Sequence, residues 1–246
     1  AAISAGYCDV ALITHGESGR SRVDSGFGGS RQSSNAQFEA PYGTFGAPST
    51  FSIPVMRHFH DYGTTKYQMA HIPAATREWA LLNPMAIMQQ AGAITPQDVL
   101  DSRMICYPFN LFDCCLVADG GGALVLVSED RAKDFPNNPV YVLGTGESTA
   151  HSNVSQMRDF TTSDSTTMSS SEAFRLAGLG PQDIDHLMFY DAFSFTPMMF
   201  LEDLGYVKKG EVGPWLEDTK TDADGKTIYK TGPGGELPMN TNGGGL

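Results

Sequence analysis

Apolar positions along this chain fall into short blocks, and their spacing changes from block to block. Val10-Ala11-Leu12-Ile13 is a continuous apolar run of strand length, the pattern of a strand buried on both faces. Residues 16–55 lose that pattern and are rich in Gly, Ser and Pro (GFGGSRQSSN, PYGTFGAPST), which predicts irregular loop. From about Ile53 to Gln90, small and apolar residues recur at three- and four-residue steps, the period of a helix, with Gly92 as its expected end. TPQDVLDSR then offers Thr95 as an N-cap and Pro96 at the first helical position.

After this helical stretch, two β-rich runs at 111–117 and 123–128 flank Asp119-Gly120-Gly121 and read as a hairpin, with Asp119 as a turn residue. Beyond PNNP the pattern predicts a strand over 140–145, a polar stretch to Ser170 and a helix in SSSEAFRLAGLG. The start signal PQDID, a strand in HLMFY, a helix over 194–204 and a Gly/Pro-rich tail follow. Strands alternating with helices predict an α/β fold with a largely parallel sheet. The two halves have similar content but no sequence repeat.

Composition narrows the function. In 246 residues, 41% are hydrophobic and 18% charged, which suits a globular chain with a sizeable core. The net charge of −12 argues against a nucleic-acid partner, which calls for clustered Lys and Arg. No apolar run reaches the roughly 18 residues of a membrane span, and no signal-peptide pattern is visible, so the expected location is cytoplasmic. Cys8, Cys106, Cys114 and Cys115 form no CxxC pair and read as reduced, structural thiols. His15, His71, His151 and His186 have no metal-ligand spacing. The acidic EDTKTDADGK (217–226) lacks the bidentate Glu of a calcium loop and reads as a surface turn. No metal and no cofactor are expected. The chain opens without Met and stops in a Gly-rich loop, and we expect it to be the middle of a longer protein.

Chemistry in α/β proteins concentrates where a strand hands over to a helix, and that corner here is Tyr190-Asp191-Ala192-Phe193. The motifs AGYCDVALITHGES, RHFHDYGTTKYQMA with NPMA, DCCLVADGGGALVLVS, GLGPQDIDHLMFYDAFS and GGELPMNTNGG occur in this order. In that order the chain resembles the thiolase superfamily, most closely its sterol-carrier-protein-type thiolases and lipid-transfer-protein thiolase homologues. The resemblance implies a five-layered αβαβα body of two related α/β halves, with a mainly helical loop domain inserted in the first. Residues 1–25 with 104–133 would form the N-terminal half, 26–103 the loop domain and 134–246 the C-terminal half. It also implies a CoA-thioester substrate, a homodimer and a small OB-fold, zinc-ribbon partner protein. The family's nucleophilic Cys would lie before Ala1, and its Gly-His-Pro motif beyond Leu246.

The same resemblance assigns site residues. The corner motif begins in the family with Asn or His, an oxyanion donor; here it begins with Tyr190. A phenol is longer, has an ordinary pKa near 10, and donates a hydrogen bond or exchanges a proton. That suits retro-aldol cleavage of a β-hydroxyacyl-CoA, as in homologues that act on steroid side-chain CoA esters. His58 and Phe59 would line the pantetheine channel. Ala192 and Phe193 would flank the acyl and pantetheine groups, and Gly243 and Gly244 would let the backbone approach the substrate. Asn240 would tie loops together. Two alternatives stay open: an acetyl-CoA acetyltransferase whose Cys lies outside this piece, and a non-catalytic lipid-CoA binding subunit.

Overall fold

The computed structural model describes residues 2–21, 36–44 and 46–246. In chain order the elements are strand β1 (Val10–Ser18) and helices α1 (Ala36–Glu39), α2 (Ala47–Tyr62), α3 (Lys66–Met69), α4 (His71–Leu82) and α5 (Pro96–Asp101). Strands β2 (Met104–Cys106), β3 (Phe109–Asn110) and β4 (Asp119–Val127) follow, then α6 (Asp164–Ala177), α7 (Phe195–Asp203), α8 (Val212–Glu217), β5 (Lys220–Thr221) and β6 (Thr227–Ile228). The chain divides into two compact units. One comprises Ala1–Gly26 and Val117–Leu143, the other Phe27–Leu116 and Gly144–Leu246.

In the first unit β1 and β4 form a nine-pair antiparallel ladder running from Val10↔Val127 to Ser18↔Asp119. This corrects the expected hairpin. Gly120 and Gly121 lie inside β4, opposite Glu17 and Gly16, and residues 111–113 form a 3-10 turn. Gly121 serves close strand approach, since a Cβ there would lie 2.7 Å from the His15 carbonyl oxygen, whereas one on Gly120 would meet nothing within 4 Å. Asp119 is a strand residue, and its carboxylate accepts from the Arg20 and Ser21 amides at 2.8 and 2.9 Å. The apolar run of β1 is a strand, as expected, but not one buried on both faces: Leu12 is 66% and Ile13 51% exposed. Among the described residues of its unit this ladder has two strands and no α-helix to cover it.

The second unit holds the core. Val55 of α2, Met69, Ile72, Phe109, Phe193, Phe195, Met198, Leu201, Val212 and Leu216 pack into one cluster with Leu187 and Met239. Helix α2 begins at Ala47, before the expected Ile53, because Pro48 sits in its first turn, where a missing N–H costs nothing. The helical stretch is then broken. Gly63 ends α2 in the left-handed conformation, its N–H bonded to the Phe59 carbonyl, and Thr65 starts α3 with a capping box to Gln68. Helix α4 ends at Leu82, well before Gly92. Helix α5 forms as expected, with Thr95 and Asp98 bonding reciprocally. Helix α6 starts at Asp164, earlier than expected, capped by Ser163.

Among the described residues the ladders are three antiparallel pairs, so the expected parallel sheet is not what they form. Residues 140–145 form no regular element, and HLMFY makes one parallel bridge, Leu187 to Met239. Strand propensity alone does not make a strand; a ladder also needs a neighbour at the right distance. The acidic 217–226 segment is a surface turn, with β5 and β6 paired across it.

Candidate functional site at the strand–helix corner

Residues 187–191 keep the two-residue alternation of a strand. Leu187 and Asp191 are 4% and 5% exposed, whereas Met188 and Tyr190 are 53% and 75% exposed. Tyr190 therefore projects outward from a segment whose alternate side chains are anchored inside.

Two flanking segments hold that run in place. On one side lies the Gly-rich loop. The Leu187 amide donates to the Pro238 carbonyl at 2.9 Å, and the Asn240 amide to the Leu187 carbonyl at 2.8 Å. The Asn240 side-chain oxygen accepts from the Phe189 amide at 2.7 Å, with Asn240 itself in the left-handed region at φ 51°. Asn240 thus ties the loop to the run. On the other side, the Cys115 amide donates to the Ala192 carbonyl at 3.0 Å and the Ser194 amide to the Asp113 carbonyl at 3.0 Å. The Ser194 hydroxyl also donates to the Asp113 carboxylate at 2.6 Å. The Leu116 amide donates to the Gly245 carbonyl at 2.8 Å, which closes the frame.

Asp191 is buried within this frame. Both carboxylate oxygens accept from the Gly245 amide, each at 2.9 Å. The glycines admit the loop at short range. A Cβ on Gly244 would lie 2.3 Å from the Asp191 Oδ2 and 2.5 Å from the Thr76 methyl, and one on Gly243 2.8 Å from the Ala80 Cα. Gly243 and Gly244 thus let the loop approach α4 and Asp191. Their N–H groups are bonded within the loop, to the Asn240 carbonyl and the Asn242 side-chain oxygen.

Phe193 is 5% exposed, stacks on Phe109 at 4.7 Å between centroids, and meets Phe51 at 5.1 Å. Ala192 is half-buried beside it. Cys114 and Cys115 lie in the frame as free thiols. Burial, then the Asp113 charge, pushes the Cys114 thiol up to about 12, and burial with the Asp191 charge raises Cys115. Neither is disposed to ionise as a nucleophile must.

His58 is placed apart from the corner residues. It has no exposed surface, which takes it out of contact with an open channel. Its Nε2 donates to the Glu202 carboxylate at 3.1 Å, and its Nδ1 lies 2.9 Å from the Thr64 hydroxyl. This Thr–His–Glu chain has the order of a nucleophile–base–acid triad, but Thr64 is 4% exposed, so the chain is closed to substrate. Glu202 also accepts from the Gly210 and Val212 amides at 2.9 and 3.2 Å and pairs with Lys209 at 3.3 Å. Burial alone pushes Glu202 up; His58, Lys209 and the Val212 amide outweigh it and hold the carboxyl below its ordinary value. In the neighbouring Asp203 burial prevails and raises the carboxyl, despite the Lys209 ammonium 2.6 Å away. Phe59 is half-buried and packs against the core. Sequence reasoning missed Asp191, Glu202 and Lys209 as organising residues; for the two acids the available signal was a carboxylate within an otherwise apolar run, and Lys209 offered none. No group of three or more His, Cys, Asp or Glu is arranged to hold a metal among the described residues.

Residues 146–246 match the family model described as thiolase C-terminal domain-like. An acetyl-CoA acetyltransferase of Methanothermobacter thermautotrophicus is 33% identical over 99% of this chain and 60% of its own length. A steroid side-chain-cleaving aldolase of Thermomonospora curvata is 30% identical over 100% of this chain and 63% of its own. The chain belongs to the thiolase superfamily. It shares the thiolase-like fold with the solved Ltp2-ChsH2(DUF35) aldolase, at TM-score 0.82 and 29% identity, covering 99% of this chain and 61% of that one. This thiolase-superfamily chain therefore spans about three-fifths of the length of these three relatives.

Proposed function

We propose that this chain is part of an enzyme that breaks a carbon–carbon bond in an acyl-CoA thioester by retro-aldol cleavage of a bulky β-hydroxyacyl-CoA, with a steroid side chain as the favoured class. The observation that carries the reading is Tyr190: a 75%-exposed tyrosine at the end of an extended run pinned on both sides. In the reaction, Tyr190 in its phenolate form takes the β-hydroxyl proton as the Cβ–O bond becomes a carbonyl, and so becomes the phenol. The Cα–Cβ pair moves onto the thioester as an enolate, and the phenol returns the proton to Cα, which regenerates the phenolate. The products are a ketone or aldehyde and a shortened acyl-CoA, and no co-reactant is consumed. Ala192, Phe193, Gly243 and Gly244 shape the wall behind Tyr190. Phe59 belongs to the substrate channel, and His58 acts from the interior by holding α2 against α7.

For the whole protein we propose the five-layered αβαβα body with a helical loop domain over 26–103, assembled as a homodimer in the cytoplasm. The Ltp2-ChsH2(DUF35) complex supports a small second subunit as partner. The second reading, an acetyl-CoA acetyltransferase, is favoured by the Methanothermobacter relative. With Cys114 and Cys115 held as neutral thiols, it calls on a cysteine outside residues 1–246. One assay separates the readings. The protein is incubated with a steroid bearing a β-hydroxyacyl-CoA side chain, or with acetoacetyl-CoA plus CoA, with and without a DUF35-type subunit. Ketone release from the first supports the aldolase, and acetyl-CoA from the second supports the thiolase. CoA-ester binding without either product points to a binding subunit.

A further inference from the structure

Asp191 lies next to Tyr190, yet the reaction above gives it no role. Its carboxylate is 5% exposed, and among the described residues no cation lies within ion-pair distance of it. A buried polar group without partners is costly, and among the described residues the hydrogen bonds to this carboxylate come from the Gly245 amide, bonded to both oxygens at 2.9 Å. Two consecutive glycines, Gly244 and Gly245, make that contact feasible. A Cβ on Gly244 would lie 2.3 Å from one oxygen, and one on Gly245 3.0 Å from the other.

The Asp191–Gly245 link is also where the three segments of the corner converge. Gly245 accepts from Leu116 through its carbonyl while its amide holds Asp191, and the carbonyl of Ala192, the next residue, accepts from Cys115. Because side chains alternate along the run, the backbone that directs Asp191 inward directs Tyr190 outward. A rotation that freed the carboxylate would swing the phenol.

We propose that Asp191 is a positioning residue: by clasping the Gly245 amide it fixes the direction in which Tyr190 projects. This rests on the assignment of Tyr190 as the proton-transfer group. A carboxylate offers the amide two oxygens, an asparagine side chain one and an alanine none, so the clasp weakens in that order.

The test compares Asp191→Asn, Asp191→Ala and Tyr190→Phe in the full protein, using a steroid β-hydroxyacyl-CoA for turnover. Amide hydrogen exchange is followed in peptides covering 187–194 and 240–246. Asp191→Ala should speed exchange in both peptides and lower kcat by about 10- to 100-fold, the scale of a misdirected catalytic group, with KM little changed. Asp191→Asn should fall between it and the parent on both readouts. Faster exchange with kcat intact, or unchanged exchange in both Asp191 variants, overturns the positioning role while leaving Tyr190 in place. Full turnover by Tyr190→Phe overturns the Tyr190 assignment itself, and with it the reason for fixing that side chain. Should Asp191→Ala fail to fold, Asp191→Asn alone decides: parent-like exchange and kcat together refute the clasp.

Discussion

His58→Ala removes an imidazole from a place with no solvent access, and its consequence follows from what remains. Glu202 would lose its His58 partner but keep the Gly210 and Val212 amides and Lys209. Thr64 would lose the contact at 2.9 Å, and the space beside Phe195 and Tyr62, whose rings lie 5.5 and 4.8 Å from the imidazole, would be left empty. Breaking a buried pair by deleting one member costs about 3–5 kcal/mol. The three donors left on Glu202 place this case near the lower end, about 3 kcal/mol. The assay is urea denaturation followed by tryptophan fluorescence, since Trp79 and Trp215 both lie in the unit that contains His58. With a slope of roughly 2–3 kcal/mol/M, the midpoint should fall by about 1–1.5 M. A loss below about 1 kcal/mol, the scale of an ordinary hydrogen bond, would refute the view that this network locks α2 to α7.

Gly244→Ala, at φ 60° and with its new Cβ against Asp191 and Thr76, should cost about 2–4 kcal/mol from left-handed strain plus overpacking. Gly225→Ala, at φ 82° with nothing within 4 Å, should cost only about 1 kcal/mol; equal losses in urea melts would remove the steric argument. Acid stability should follow Glu202. Its folded pKa lies below the unfolded one, so its contribution is present above about pH 4.3 and is lost as pH falls through the folded value. Asp203 has the opposite sign: its raised pKa gives stability below the unfolded value that is lost as pH rises through the folded one. Glu202→Gln should therefore flatten, and Asp203→Asn steepen, the fall of the urea midpoint below pH 5; parallel curves for all three proteins would contradict this.

Local signals were legible and distant ones were not. Thr95, Pro96 and Asp98 announce α5 because a capping box is complete within four residues. Ala47 was hidden because Gly46 and Pro48 look like loop, although a proline in a first turn starts helices. Gly120–Gly121 read as a turn, since sequence alone does not distinguish a glycine that bends the chain from one that admits a second strand. The family motifs located the corner and its tyrosine. They did not reveal that Glu202, 144 residues along the chain, encloses His58, or that Gly245, 54 residues on, occupies Asp191. Those partners are set by packing across the core, which a periodic pattern does not encode.

The central claim is that the Tyr190 hydroxyl transfers the proton on which bond cleavage depends. Its most direct measurement is the single-turnover rate of Tyr190→Phe on the steroid β-hydroxyacyl-CoA, with binding of the same ester measured alongside. The account predicts near-normal binding and a rate lower by about 100-fold or more, the scale of losing a positioned acid–base group. A phenylalanine protein that releases ketone at the parent rate would contradict it.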